Sequence, residues 1–64
     1  MNSRELLRRL RRLGATIDPQ RGKGGHVEVR FGERITRVPT GSGDLKAGML
    51  AGILKQLGLR RDQI

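Results

Sequence analysis

The sequence contains no cysteine and only one histidine, His26. Disulfide bonds are therefore excluded, and a structural zinc site, which needs several histidine or cysteine ligands, cannot be built. Small domains often depend on such cross-links, so this chain must rely on its apolar core. We expect no metal and no cofactor. The absence of cysteine is compatible with a reducing compartment, and we expect a cytoplasmic protein.

Aromatic residues are almost absent, since Phe31 is the only one. Stacking on aromatic rings, a common way of holding single-stranded nucleic acid, cannot be the main means of recognition. A chain of 64 residues buries only about 60% of its unfolded surface. We expect residues 1–64 to form one domain, with residues 60–64 as a tail. No apolar run approaches the length of a membrane span, and arginines interrupt the N-terminal leucines where a secretory signal would be apolar.

Acidic residues are few: 6 stand against 14 lysines and arginines, which gives a formal net charge of +8 and a pI near 11.8. So large an excess on a small body attracts polyanions. Nucleic acid is the first expectation, followed by acidic proteins and anionic membranes. A basic amphipathic helix could also lie on a membrane surface. We favour nucleic acid because the rest of the chain has a coherent core pattern of its own.

Leucines at helical spacing predict a first helix from Ser3 to Leu13, with Ser3 as the N-cap and Gly14 as the stop. Glu5 and Arg9 are one turn apart and can form an ion pair. One buried stripe is expected from Leu6, Leu7, Leu10 and Leu13.

Three strands are predicted after this helix. Ile17 indicates a short strand, and Pro19, which cannot donate a backbone hydrogen bond, means that this strand is either at the edge of a sheet or broken. Residues 26–31 alternate between polar and apolar, and a two-residue turn, 32–33, of type II′ leads into the next strand. This turn sets Glu28 opposite Arg37 and places His26 on the polar face.

A second helix is predicted between a cap at Ser42 or Asp44 and a stop at Gly58. Leu59 is expected to fold back on it. Its apolar stripe comprises Leu45, Met49, Leu50, Ile53, Leu54 and Leu57. The sequence thus predicts an α+β protein of two layers, in the order α-β-β-β-α. Its antiparallel sheet of three strands would have both helices on one face and water on the other.

Several motifs together resemble the HicA toxin family. They are Gly14, the glycine-rich segment from Arg21 to His26, Val38-Pro39, and the segment from Asp44 to Leu59. The resemblance spans nearly the whole chain, and the last segment is its most specific part. It implies a fold like the double-stranded-RNA-binding domain. It also implies a toxin that cleaves messenger RNA and is silenced by a HicB-like antitoxin, with operator DNA as a further partner of the complex. The essential histidine of the family corresponds to His26.

Histidine is also the side chain whose ordinary pKa lies closest to neutrality, which suits it to general acid or base catalysis. RNA carries its own nucleophile, the 2′-hydroxyl, so a base can start cleavage without a metal. Glu28 could orient His26 or act as a second base. Alternatively, His26 merely begins a strand, and a lone histidine is weak support for catalysis until the resemblance is considered.

Residues around this histidine are the candidates for binding RNA: Arg21, Lys23, Gly24, Gly25 and Arg30, with Lys46 before the second helix. The glycines allow close approach of a phosphate, although a tight turn would use them equally well. The GxxG pattern of KH domains is rejected, because that loop joins two helices. The alternative function is a non-catalytic module that binds RNA or DNA. It is favoured by the absence of the second histidine that the family often has.

Overall fold

The structure, a computed structural model, describes residues 1–19, 25–41 and 43–64. Its elements are α1 (Ser3–Arg12), β1 (Thr16–Asp18), β2 (His26–Phe31), β3 (Arg34–Pro39), α2 (Ala47–Leu57) and a short 3-10 turn (Arg61–Gln63). The three strands form one antiparallel sheet with β2 in the centre. The predicted α+β class and the order α-β-β-β-α are confirmed. No helix in the described ranges has the length and apolar character needed to span a membrane.

The β2–β3 hairpin has the register that its turn predicts. Val27 is paired with Val38, and Glu28 is paired with Arg37. Gly32 begins the turn with a φ of +62°, and no non-glycine residue of the turn has a positive φ, which is the sign pattern of a type II′ turn. Because the side chains of a strand alternate, this register decides which of them face the helices.

β1 is a short edge strand, as predicted. Thr16 lies opposite Arg30 of β2, and Asp18 lies opposite Glu28. The strand ends before Pro19, whose nitrogen has no hydrogen to donate to a neighbouring strand. β1 therefore adds a third row of side chains to each face of the sheet.

The core lies between one face of the sheet and the two helices, with α1 against β1 and α2 against β3. Leu6 and Leu10 are completely buried. The other buried apolar residues are Ala15, Val27, Val29, Val38, Leu50, Ile53, Leu54, Leu57 and Leu59. The predicted burial of two stripe residues is wrong, since Leu13 is 39% exposed and Met49 is 50% exposed. Each lies at the margin of its helix's apolar stripe, where no described element covers it.

Both helices end in the same way, at the glycines predicted as stops. Gly14 has a φ of +105° and Gly58 a φ of +73°, in the left-handed region that favours glycine. The next residue donates its backbone N–H to a carbonyl five positions back, over 3.0 Å for Ala15 and 2.8 Å for Leu59. Ala15 and Leu59 are both buried. This Schellman arrangement turns the chain back into the core after each helix.

The first helix begins at Ser3, as predicted, but its predicted cap is one residue late. Asn2, not Ser3, is the N-cap, and its side-chain oxygen accepts a hydrogen bond from the backbone N–H of Glu5 over 2.8 Å. Ser3 is instead the first residue of α1 and is buried. The predicted ion pair between Glu5 and Arg9 is present, at 3.3 Å.

The predicted cap of the second helix is also wrong at the position that the structure describes. Asp44 does not cap α2, because it forms an isolated β-bridge with Asn2. α2 begins three residues later, after Lys46, which has an extended backbone and makes no side-chain cap. Ser42, the other predicted cap, lies outside the described residues.

Candidate functional site

The sheet face opposite the helices, called here the outer face, is formed by every second residue of each strand. It carries Thr16, Asp18, His26, Glu28, Arg30, Ile35, Arg37 and Pro39. No described helix covers it, and Ile35 is 49% exposed although it is apolar. This face is therefore accessible to a large ligand.

His26 lies at one end of the outer face, where the hairpin register predicts it. It is the first residue of β2 and is exposed, with Pro39 as its cross-strand partner. The strand pairing continues one residue further, because the backbone N–H of Thr40 donates to the carbonyl of Gly25. Gly25 has a φ of +79°, a conformation that favours glycine at the entrance to the strand. The backbone pairing with β3, which continues before and after His26, thus fixes where the imidazole emerges.

Beside His26 is an open depression at the β3 margin of the outer face. It is lined by His26, Glu28, Ile35, Thr36, Arg37 and Gln56. The hydroxyl of Thr36, which is buried, donates to the side-chain oxygen of Gln56 and ties the margin of the depression to α2. A ligand in this depression would touch an imidazole, a carboxylate and a guanidinium together.

Glu28 is the most enclosed charged group next to the histidine. Its side chain is only 12% exposed, and its Oε2 accepts a hydrogen bond from Arg30 Nε over 3.2 Å. Glu28 also lies between Asp18 on β1 and Arg37 on β3. Two carboxylates and two guanidinium groups therefore share the outer face, so this part of a strongly basic chain is close to neutral.

Such an arrangement is chemically competent for proton transfer. An exposed imidazole can accept or donate a proton, and a neighbouring carboxylate can orient the ring or take a proton itself. Charge that develops on a phosphate would be stabilised by a nearby cation. Arg37 is on the same face and is the diagonal cross-strand neighbour of His26.

The predicted RNA-binding residues do not all gather at this site. Gly25 and Arg30 lie next to His26 or on its face, whereas Arg21, Lys23 and Gly24 lie outside the described residues. Lys46 is exposed at the start of α2, after Leu45, whose backbone N–H donates to the carbonyl of Met1 over 2.9 Å. Lys46 therefore belongs to the helix layer, and it does not line the depression beside His26.

Arg37 was missed as a site residue from sequence. The register that sets it opposite Glu28 also makes it a diagonal neighbour of His26, so the signal was present in the hairpin pattern. Gln56 could not have been found in this way, because its position depends on how α2 packs against β3.

Within residues 1–19, 25–41 and 43–64, no group of three or more histidine, cysteine or acidic side chains is arranged to hold a metal ion.

Comparison with known proteins gives one match. The family model described as the HicA toxin of bacterial toxin–antitoxin systems matches residues 3–59. No curated protein and no solved structure matches the chain. The matched segment runs from the first residue of α1 to Leu59, which closes the end of α2. Because the match takes in both helices and the whole sheet, the chain belongs to the HicA toxin family of bacterial toxin–antitoxin systems.

Proposed function

We propose that this toxin is an endoribonuclease that cleaves messenger RNA, with His26 transferring the proton on which cleavage depends. Membership of the family gives the toxin role. The proposed role in RNA cleavage is supported by one observation: His26 is exposed and lies in a depression together with Glu28 and Arg37. An exposed base, a neighbouring carboxylate and a cation can together supply the proton transfer and charge stabilisation that cleavage of a phosphodiester uses.

In the proposed reaction, His26 accepts the proton of the 2′-hydroxyl of RNA. The 2′-oxygen then forms a bond to the adjacent phosphorus, and the bond from phosphorus to the 5′-oxygen of the next nucleotide breaks. That oxygen leaves with a proton from the imidazolium or from a second group, so one strand ends in a 2′,3′-cyclic phosphate. Arg37 and Arg30 would stabilise the charge on the phosphate, and Glu28 would orient the imidazole or serve as the second proton carrier.

The proposed inhibitor is an acidic, HicB-like antitoxin. It would cover the outer face and His26, and so keep RNA from the site. The net charge of +8 supports an acidic partner. The complex could also bind operator DNA through the antitoxin, and we propose that the protein acts in the cytoplasm, where messenger RNA is translated.

The alternative is that the protein binds RNA or DNA without cleaving it. Its support is that His26 is the only histidine in the chain and stands among carboxylates as well as arginines. Binding by this module would fall steeply with salt concentration, because lysine and arginine displace counterions from nucleic acid.

The test is cleavage of end-labelled RNA by purified protein in the presence of a metal chelator. We expect His26→Ala to reduce the cleavage rate by about 10²- to 10⁴-fold, the usual contribution of a general acid or base. The matched control is Thr16→Ala, which changes an exposed residue of the same face outside the depression. Its cleavage rate should be that of the wild type.

Both variants should melt close to the wild-type temperature, because exposed substitutions usually change the free energy of unfolding by about 0.5 kcal/mol or less. If folded His26→Ala cleaves RNA at the wild-type rate, the proposed role of His26 is wrong. If the wild type binds RNA with a steep salt dependence and never cleaves it, the binding module is the better description.

A further inference from the structure

One flank of α1, beside its buried stripe, forms a basic groove with Thr40, the residue that follows β3. This helix groove is lined by Ser3, Arg4, Leu7, Arg8, Arg11 and Thr40. Arg4, Arg8 and Arg11 follow one another at spacings of four and three residues, so they lie along one side of the helix. At 1.5 Å per residue they extend over about 10 Å of the helix axis.

α1 carries a large share of the charge of the chain. It contains five arginines and one glutamate, which together supply four of the eight net positive charges. Glu5 is shared between Arg8 and Arg9, which both form ion pairs with it. Arg4 and Arg11 have no carboxylate within ion-pair distance among the described residues. The groove therefore presents guanidinium groups that can bind an anion without first breaking an ion pair.

The helix groove and the depression beside His26 both border the same end of the sheet. Thr40, a wall of the groove, donates its backbone N–H to the carbonyl of Gly25. Gly25 directly precedes His26, and Thr40 directly follows Pro39, the cross-strand partner of His26. A chain molecule that leaves the depression past Thr40 would enter the groove.

The two surfaces differ in charge in a way that matters for binding. On the outer face Asp18 and Glu28 offset Arg30 and Arg37, so this face adds little to the attraction of a polyanion. Among the residues that the structure describes, the helix groove is a cationic surface near the site, and its arginines can supply the attraction that the balanced outer face lacks.

We propose that the helix groove binds the phosphate backbone of the RNA strand that flanks the nucleotide at His26. This inference rests on the proposed function, since it places RNA at His26. The planar guanidinium groups of Arg4 and Arg11 donate paired hydrogen bonds to two phosphates along the strand, and the hydroxyl of Thr40, which also lines the groove, can join them. A row of arginines on a helix is commonly just a solvated face. This row is distinguished by the wall at Thr40 and by two arginines for which the described part of the chain offers no carboxylate partner.

The first test measures binding alone, in the His26→Ala protein, so that its result does not depend on cleavage. The double variant Arg4→Gln/Arg11→Gln is compared with Arg60→Gln/Arg61→Gln, which removes the same charge from the exposed tail. Affinity for a labelled single-stranded RNA of twelve nucleotides is measured from low to high salt.

We expect the groove variant to bind RNA at least tenfold more weakly at low salt. The slope of log affinity against log salt should fall by about 1.4, because each of the two phosphates that the arginines neutralise on a single strand contributes about 0.7 to it. The tail variant should retain most of the affinity and of the slope. Equal losses in the two variants would show that only net charge matters and would overturn the proposal, as would unchanged binding in the groove variant.

A second measurement tests whether an acidic protein is the true occupant. Polyglutamate replaces RNA as the probe for the same two variants. If the groove variant loses affinity for polyglutamate but keeps its affinity for RNA, the groove is a protein-binding surface and the proposal is wrong. A greater loss for RNA than for polyglutamate supports it.

Cleavage provides a readout that a purely structural role would not change. In the protein with His26 intact, we expect the groove variant to raise KM for the twelve-nucleotide RNA about tenfold and to leave cleavage of a dinucleotide at the wild-type rate. A dinucleotide is too short to reach past Thr40 into the groove. Equal effects on both substrates would contradict the inference. If the parent protein cleaves no RNA, the proposed function is wrong. The binding measurements still decide whether the helix groove binds RNA.

Discussion

Replacing Gly58 by alanine tests how the end of α2 meets the hairpin. A Cβ atom built at Gly58 would lie 2.9 Å from Arg34 Nε and 3.2 Å from Arg34 Cδ. Gly14 ends α1 in the same Schellman arrangement, with a φ of +105° against +73° at Gly58, but a Cβ there would meet nothing within 4 Å. The two glycines share the positive φ and differ in the side chain that faces them. They therefore form a matched pair.

The expected magnitudes follow from these two effects. A residue with a Cβ is destabilised by roughly 1–2 kcal/mol in the left-handed conformation, so Gly14→Ala should lower the free energy of unfolding by that amount. At Gly58 the Arg34 side chain must also move. Because it is long and flexible, displacing it should add only about 0.5–1 kcal/mol. For a domain of this size 1 kcal/mol corresponds to about 4–8 °C in Tm, so Gly58→Ala should melt about 2–8 °C below Gly14→Ala.

Urea denaturation of the single variants and of their combinations with Arg34→Ala measures the second effect directly. In a double-mutant cycle, Gly58→Ala and Arg34→Ala should be coupled by about 0.5–1 kcal/mol, because removing the arginine side chain removes the clash. Gly14→Ala and Arg34→Ala should be additive. The packing of Arg34 over the end of α2 would be refuted if both glycine variants lost the same free energy of unfolding and if Gly58→Ala and Arg34→Ala showed no coupling energy.

Three further predictions concern the site, the first helix and the core. Arg37→Gln should reduce RNA cleavage at least tenfold without loss of folding, whereas Arg34→Gln, outside the depression, should leave cleavage unchanged in the same assay. Asn2→Ala should lower the free energy of unfolding by about 1 kcal/mol in urea melts, because it removes the cap of α1. Leu10→Ala should cost about 2–5 kcal/mol by the same measurement, and Leu13→Ala, at an exposed position, less than about 1 kcal/mol. Equal costs for the two leucines would contradict the assigned core.

The hairpin and the helix ends could be predicted because their causes are local in sequence. Alternation over residues 26–31 and a turn that begins with Gly32 fix both the register and the exposed position of His26. Glycine after an apolar helix stripe similarly marks Gly14 and Gly58 as stops. In each case a few neighbouring residues determine the geometry.

The start of the second helix and the margins of the apolar stripes could not be predicted, because contacts distant in sequence decide them. Asp44 is a good capping residue, but it forms a β-bridge with Asn2 and therefore does not cap α2, which begins at residue 47. Met49 and Leu13 lie at stripe margins, where burial depends on whether another element happens to cover them. Helical periodicity identifies the side of a helix that is apolar, and it does not give the width that the sheet covers.

The distribution of charge around His26 likewise depends on contacts between strands that the sequence alone does not reveal, and it has a consequence for function. Net charge indicates a polyanionic partner, but it does not say where on the surface the attraction lies. The register brings Asp18 and Glu28 together beside His26, so the described outer face is balanced while α1 is strongly positive. Carboxylates next to a catalytic imidazole can orient the ring and assist proton transfer, but their negative charge weakens the binding of a phosphate at the same place. A chain that holds RNA by cations on α1 and performs chemistry at a near-neutral site avoids this conflict. The helix then provides the attraction for phosphate, and the sheet provides the groups for proton transfer.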